Sequence, residues 1–276
     1  MTNNLTALSE AEIHYLMGAG IAAKRCPIYE GRKGDLEFHR NGFELRHIPR
    51  EVTDWTDEAE IQRLEYPVLT RLCKGWMGCK QVIFLPSTHR DAAALNQTDS
   101  SVNDAPIIAA HADYTEGFPD MIGDERETYA QLLAPTMRQA GVTYADIRAA
   151  SRIVSVQLWR NFGSPRMDYP LALCDTQTVD RSQFQKGRGE YLIAGRLTSI
   201  ESWSFAPDQQ DDSLSRHRWS TFQDMSADDI ILFRGYDSDL VQKGEEFLVG
   251  YSAIRDPSVP DGMHRHSVEM RAVCLF

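Results

Sequence analysis

In the stretch IIAAHADYT, residues 107–115, a histidine and an aspartate stand two apart at the end of an apolar run that reads as a buried strand. Side chains at i and i+2 of a strand point to one face, so His111 and Asp113 can offer an imidazole nitrogen and a carboxylate oxygen to one cation. A third donor, usually histidine, arriving from a distant strand would complete a facial triad that holds ferrous iron and leaves positions open for a co-substrate and dioxygen. So short a motif recurs by chance, and its weight depends on what surrounds it. A second constellation lies in HRHSVEMR, residues 264–271, where Arg265 and Ser267 are also two apart. On one strand face they can give a guanidinium fork and a hydroxyl to a single carboxylate. Arg271 follows on the same alternation and is the reserve for that role.

These side chains need a frame. Helical spacing over 54–76 predicts one helix, with Asp54 or Thr56 as N-cap and Gly75 as the stop. The runs KQVIFLP (80–86) and APIIAAHADYT (105–115) read as buried strands, with a polar loop between them. Residues 124–150 read as one or two helices broken near Pro135 and Gly141. Then the pattern changes to short strands: SRIVSVQLWR, GEYLIAGRL, HRWSTFQ, DDIILFRGYD, EEFLVGYSAI and HSVEMRAVCLF. Many short strands after an early group of helices predict an α+β fold, an antiparallel barrel or jelly roll buttressed by helices mainly from the N-terminal half. Polar segments 87–104, 180–190 and 206–216 are suited to serve as lids over a pocket.

No composition break divides the 276 residues, so a single domain over 1–276 is expected. A net charge of −11 without a dense Lys/Arg run excludes nucleic acid as a partner class. No apolar stretch approaches the roughly 20 residues that cross a bilayer, which excludes a helical membrane protein. The first residues lack the pattern of a secretory signal, and five scattered cysteines suit a reducing cytoplasm. A small-molecule substrate is expected, and a homodimer is left open.

Taken together, several landmarks in order resemble the CmcJ/AsaB-type hydroxylase/desaturase family, iron- and 2-oxoglutarate-dependent oxygenases of specialised metabolism. They are NGFELRH (41–47), GCKQVIFLPSTHR (78–90), HADYT (111–115), VQLWRNFGSPRMDYPLALCDTQTV (156–179), HRWSTFQDMSADDIILFRGYDS (217–238) and GYSAIRDPSVPDGMHRHSVEMR (250–271). The resemblance covers roughly 35–276 and implies a double-stranded β-helix of the cupin-like kind, with Fe(II), 2-oxoglutarate and dioxygen as cofactor and co-substrates. It implies His111 and Asp113 as iron ligands and Arg265 and Ser267 as the holders of 2-oxoglutarate. Arg160, His217 and Arg218 fall at positions that it places around the substrate or co-substrate. Gln157 falls where the family usually has asparagine before WR, and Gln157 and Tyr114 are taken as further substrate-binding or catalytic candidates.

One position departs from the family pattern. Where the third ligand histidine is expected, GYSAIRDP carries Tyr251. Tyr251 could ligate as a phenolate, His264 or His266 could supply the third donor, or water could complete the shell. The leading reading is an oxygenase that hydroxylates or desaturates a small metabolite. Two others stay open: a metal- or tyrosine-assisted isomerase, dehydratase or cyclase, and an inactive member that binds a metabolite.

Overall fold

A computed structural model describes residues 7–18, 20–96, 105–207, 212–260 and 262–276. Its strands, in chain order, are β1 (Ser9–Met17), β2 (Gly20–Glu30), β3 (Phe43–His47), β4 (Gln81–Asp91), β5 (His111–Ala112), β6 (Ile153–Asn161), β7 (Leu171–Cys174), β8 (Phe184–Ile193), β9 (Arg196–Phe205), β10 (Trp219–Thr221), β11 (Asp229–Asp237), β12 (Tyr251–Ala253) and β13 (His266–Leu275). They form two sheets, one in the order β3-β11-β6-β13-β4 and the other β1-β2-β10-β7-β12-β5-β9-β8. Among the described strands the ladders are antiparallel except that of β10 with β2, and a single parallel bridge joins His14 to Ala109. The fold is α+β with a jelly-roll core, as expected.

The five-stranded sheet is covered on both faces, so its central strands β6 and β13 are buried almost throughout. Val154, Val156 and Leu158 of β6, with Val268, Met270, Ala272 and Cys274 of β13, face the helix Tyr66–Met77 through Leu69 and Cys73. The alternate residues face the other sheet. There Trp159, Ile231 and Phe233 pack with Leu171, Leu173 and Tyr251 in an apolar cluster that joins the two layers. The helix Thr128–Ala140 lies along the outer edge of β4, where the Thr136 hydroxyl bonds both the N–H and the C=O of Phe84. A sheet edge that would otherwise offer free backbone groups is thereby closed.

Several boundaries differ from the sequence expectation. The helical run starts behind Asp57, whose carboxylate accepts from Ala59 N–H, and ends at Gly78, which takes the left-handed conformation at φ 75°; Gly75 lies inside it. Pro135 sits within the helix Thr128–Ala140, and the break falls at Gly141 alone. The run GEYLIAGRL is two strands rather than one, because Ala194 (φ 48°) and Gly195 (φ 73°) make the two-residue hairpin turn between β8 and β9. Much of the polar segment 180–190 is therefore strand, and β4 continues to Asp91 through what was expected to be loop. The expected strand 105–115 contracts to His111–Ala112. The β1–β2 hairpin was not anticipated. Parts of the other candidate lids, 97–104 and 208–211, lie outside the described residues.

Candidate metal centre and co-substrate seat

Register brings the candidate ligands together. Tyr251 of β12 stands opposite Leu173 on one side and His111 on the other, and His111 stands opposite Ser204. Directly opposed residues share a face, so this cross-strand row presents His111 and Tyr251 side by side, with ring centroids 4.2 Å apart.

The ring of His111 is oriented by its own backbone: Nδ1 lies 2.8 Å from the carbonyl oxygen of Ala109. That contact assigns the proton to Nδ1 and leaves Nε2 unprotonated, 3.7 Å from Asp113 Oδ1. Burial pushes the His111 pKa down, against the pull of Asp113, and keeps the imidazole neutral as a ligand must be. Asp113 is braced from behind. Its Oδ2 accepts from Gln157 Nε2 at 2.5 Å and from Arg271 Nε at 3.2 Å, while Oδ1 accepts the Tyr251 hydroxyl. Burial works to raise the Asp113 pKa, but Arg271, His111 and the Tyr251 hydrogen bond outweigh it, and the carboxyl stays below its ordinary value. Tyr251 moves the other way: burial first, then the negative charges of Asp113 and Glu269, hold its phenol protonated far above the ordinary range.

The second constellation adjoins the first. From Arg265 on, alternate residues of the last strand point into the interior: Arg265, Ser267, Glu269 and Arg271. Arg265 donates from Nε to the Ser267 hydroxyl at 2.8 Å and lies over the Trp159 ring, 5.1 Å from its centroid. Its backbone is anchored by Asp168, which accepts the Arg265 N–H at 2.9 Å. Burial draws the Arg265 pKa down to about 10, which still leaves it charged at neutral pH. Glu269 stands between the arginines. One carboxylate oxygen accepts from Arg271 Nη2 at 2.8 Å, and the other is 3.5 Å from Arg265 Nη2 and 3.6 Å from Arg90 Nε.

The remaining candidates lie at varied distances from this centre. Tyr114 is buried with its hydroxyl 2.6 Å from that of Tyr129, and its ring lies against Gly235, where an added Cβ would come within 3.2 Å of Tyr114, Gln157 and Ser155. Arg160 is carried to the opposite face of β6, onto the helical side, where Nη2 meets Glu65 at 2.7 Å and Nη1 bonds the carbonyl of Ile48. His217 packs in the outer cluster of the eight-stranded sheet, 3.3 Å from Tyr15 and 3.0 Å from Gln183. Arg218 is part exposed, 3.7 Å from Asp175. His264 turns Nδ1 to Asp168 at 2.8 Å, and His266 points outward toward Asp91 at 3.7 Å. Of the alternatives for the third ligand, Tyr251 is the side chain that reaches Asp113. Glu269, Arg90 and Asp168 were missed from the sequence, although Glu269 shares the alternation of Arg265, Ser267 and Arg271.

Among the described residues no three His, Cys, Asp or Glu side chains gather as a metal site. The set at this point is one imidazole nitrogen, one carboxylate oxygen and one phenol oxygen. Such nitrogen and oxygen donors fit iron, with a fixed tautomer and a doubly anchored carboxylate of the kind that orients ligands. A groove of about 630 Å³ beside Thr115, lined by Phe118, Asp120, Arg126 and Arg188, receives none of these residues.

The chain belongs to the YDMC family, described as an oxidoreductase/YMDC permease-like domain, whose profile matches residues 22–275. Among the described residues no helix is long and apolar enough to cross a membrane. Curated relatives include a hydroxylase/desaturase, efuI, of Hormonema carpetanum, 23% identical over 267 residues that cover 88% of this chain and 80% of the relative. Another is the alpha-ketoglutarate-dependent dioxygenase phiK of Fungal sp. (strain ATCC 74256), 21% identical, covering 92% of this chain and 84% of the relative. In fold the chain is similar to the iron and alpha-ketoglutarate-dependent endoperoxidase NvfI, one solved form of which superposes with a TM-score of 0.72 at 15% identity and covers 97% of each chain.

Proposed function

We propose that the protein is a non-heme iron, 2-oxoglutarate-dependent oxygenase that hydroxylates or desaturates a small specialised metabolite. The observation that carries this reading is the convergence of His111 Nε2 and the Tyr251 hydroxyl on Asp113 Oδ1, linked through Arg271 and Glu269 to the Arg265/Ser267 pair. His111, Asp113 and Tyr251 would hold the metal. Bound iron, with dioxygen and 2-oxoglutarate, supplies the oxidising power to take hydrogen from an unactivated C–H bond. The chain's part is positional. Gln157 and Arg271 fix the carboxylate, Ala109 fixes the imidazole, and Arg265 with Ser267 receives the far carboxylate of the co-substrate. Tyr251, whose hydroxyl donates to Asp113, would release that proton to solvent on ligating the metal.

The same reading treats residues 1–276 as one domain working in the cytoplasm, without a nucleic-acid partner. The test is metal analysis coupled to succinate release under air, with and without 2-oxoglutarate. Iron retained with 2-oxoglutarate-dependent succinate formation is expected; product formed without oxygen or succinate would transfer the site to non-oxidative chemistry.

A further inference from the structure

Three guanidinium groups, those of Arg90, Arg265 and Arg271, meet two carboxylates, Glu269 and Asp113, in the inter-sheet space. Among these five groups positive charge exceeds negative by one, a balance that suits a further carboxylate. Glu269 is held unequally. At 2.8 Å its bond to Arg271 is a full hydrogen bond, whereas 3.5 Å to Arg265 and 3.6 Å to Arg90 are ion-pair distances too long for good hydrogen bonds. The more loosely held oxygen thus rests where a carboxylate received by Arg265 must sit, while the anchored oxygen can stay on Arg271 when that seat is filled.

We propose that Glu269 is a built-in stand-in for the far carboxylate of the co-substrate, occupying the Arg265/Arg90 seat until 2-oxoglutarate displaces it. The proposal rests on the co-substrate reading above and adds a specificity-determining residue to it. Glu269 screens the two arginines and lowers the affinity for a dicarboxylic 2-oxo acid by the cost of moving aside. A 2-oxo acid that lacks the far carboxylate need not enter the seat and is indifferent to Glu269.

The test is calorimetric titration of Fe(II)-supplied protein under anaerobic conditions with two probes. One is 2-oxoglutarate and the other 2-oxopentanoate, which carries a methyl group in place of the far carboxylate. Glu269→Gln keeps the shape and a hydrogen bond to Arg271. It is expected to bind 2-oxoglutarate about tenfold tighter than the unaltered protein, with 2-oxopentanoate unchanged within about twofold. Glu269→Asp draws the charge back by one methylene, is expected to fall between the two, and decides the matter if the glutamine variant fails to fold. Equal or weaker 2-oxoglutarate binding by the variants, with binding by the unaltered protein intact, overturns the role of Glu269 alone. An equal gain for both probes overturns it too, because only the general field would then have changed. Absence of 2-oxoglutarate binding in every protein overturns this inference and the co-substrate reading together.

Discussion

The two faces of the five-stranded sheet use the same strands for opposite purposes. Toward the helix Tyr66–Met77, β6 and β13 present Val154, Val156, Leu158, Val268, Met270 and Ala272, and the buried charge at this face is the ion pair of Arg160 with Glu65. Toward the other sheet the alternate positions present Gln157, Arg265, Ser267, Glu269 and Arg271, a polar network joined to the His111–Asp113 pair. Both faces bury arginine against carboxylate, but on the helical face the charges serve packing and on the inner face they surround the place where a ligand is expected. A buried arginine is therefore no guide to function until its face is known.

The largest effect that would sharpen this contrast is on the inner face. Asp113→Ala removes the proposed metal donor and the shared acceptor of Gln157, Arg271 and Tyr251. Loss of stoichiometric iron and a fall in turnover of at least about a hundredfold are expected, read by metal analysis and succinate release. A variant that keeps its iron would dissolve the distinction between the faces.

Next comes Arg160→Met on the helical face. Glu65 is left buried without its partner, and a cost of about 3–5 kcal/mol in urea unfolding is expected, with iron content and 2-oxoglutarate affinity preserved. The pH dependence has a definite sign. Burial already raises the Glu65 pKa, with Arg160 opposing it, and removal of Arg160 leaves burial to act alone. A carboxyl whose folded pKa lies above its unfolded value favours the folded state most below the unfolded pKa and loses that contribution as pH rises through the folded one. The deficit of the variant should therefore shrink on acidification from neutral pH.

How far this division was legible in the sequence depends on the range of the interactions. The HxD and RxS pairs and the alternation of β13 are local, and period two alone also puts Glu269 on the face of Arg265 and parts Gln157 from Arg160, three residues on. The partner of Arg160 was hidden because it lies 95 residues away, in a helical run whose Ile61–Glu65 turn is a π-helix that shifts the phase of the turns after it. The meeting of Tyr251 with Asp113 depends on the register of β12 against β5, which no local pattern encodes. The β8–β9 turn was disguised because Ala194, at positive φ, occupies a place where asparagine or aspartate would have signalled the hairpin.

A smaller effect, but a sharper one for the site, is that of Tyr251→Phe. If the phenol ligates, aerobically iron-loaded protein should be coloured by phenolate-to-iron charge transfer, and the variant should lose that band. The fold should lose only about 1 kcal/mol with the hydroxyl. A colourless unaltered protein would take Tyr251 out of the metal shell and leave it a donor to Asp113.

The smallest expected effect on the site itself lies at the edge of the same sheet, away from the two faces. Thr136→Val keeps the side-chain shape but removes the hydroxyl that serves Phe84 N–H and C=O on β4. Two backbone groups of a buried residue lose their partner, and about 1–3 kcal/mol of destabilisation is expected in urea unfolding, with faster amide exchange at Phe84. Because β4 also carries Arg90 and Thr88 into the polar network, this variant asks whether the network depends on a closed edge. Unchanged 2-oxoglutarate affinity despite faster exchange at Phe84 would show that the inner face is held by its own ion pairs. A parallel loss of affinity would make the edge part of the site's support.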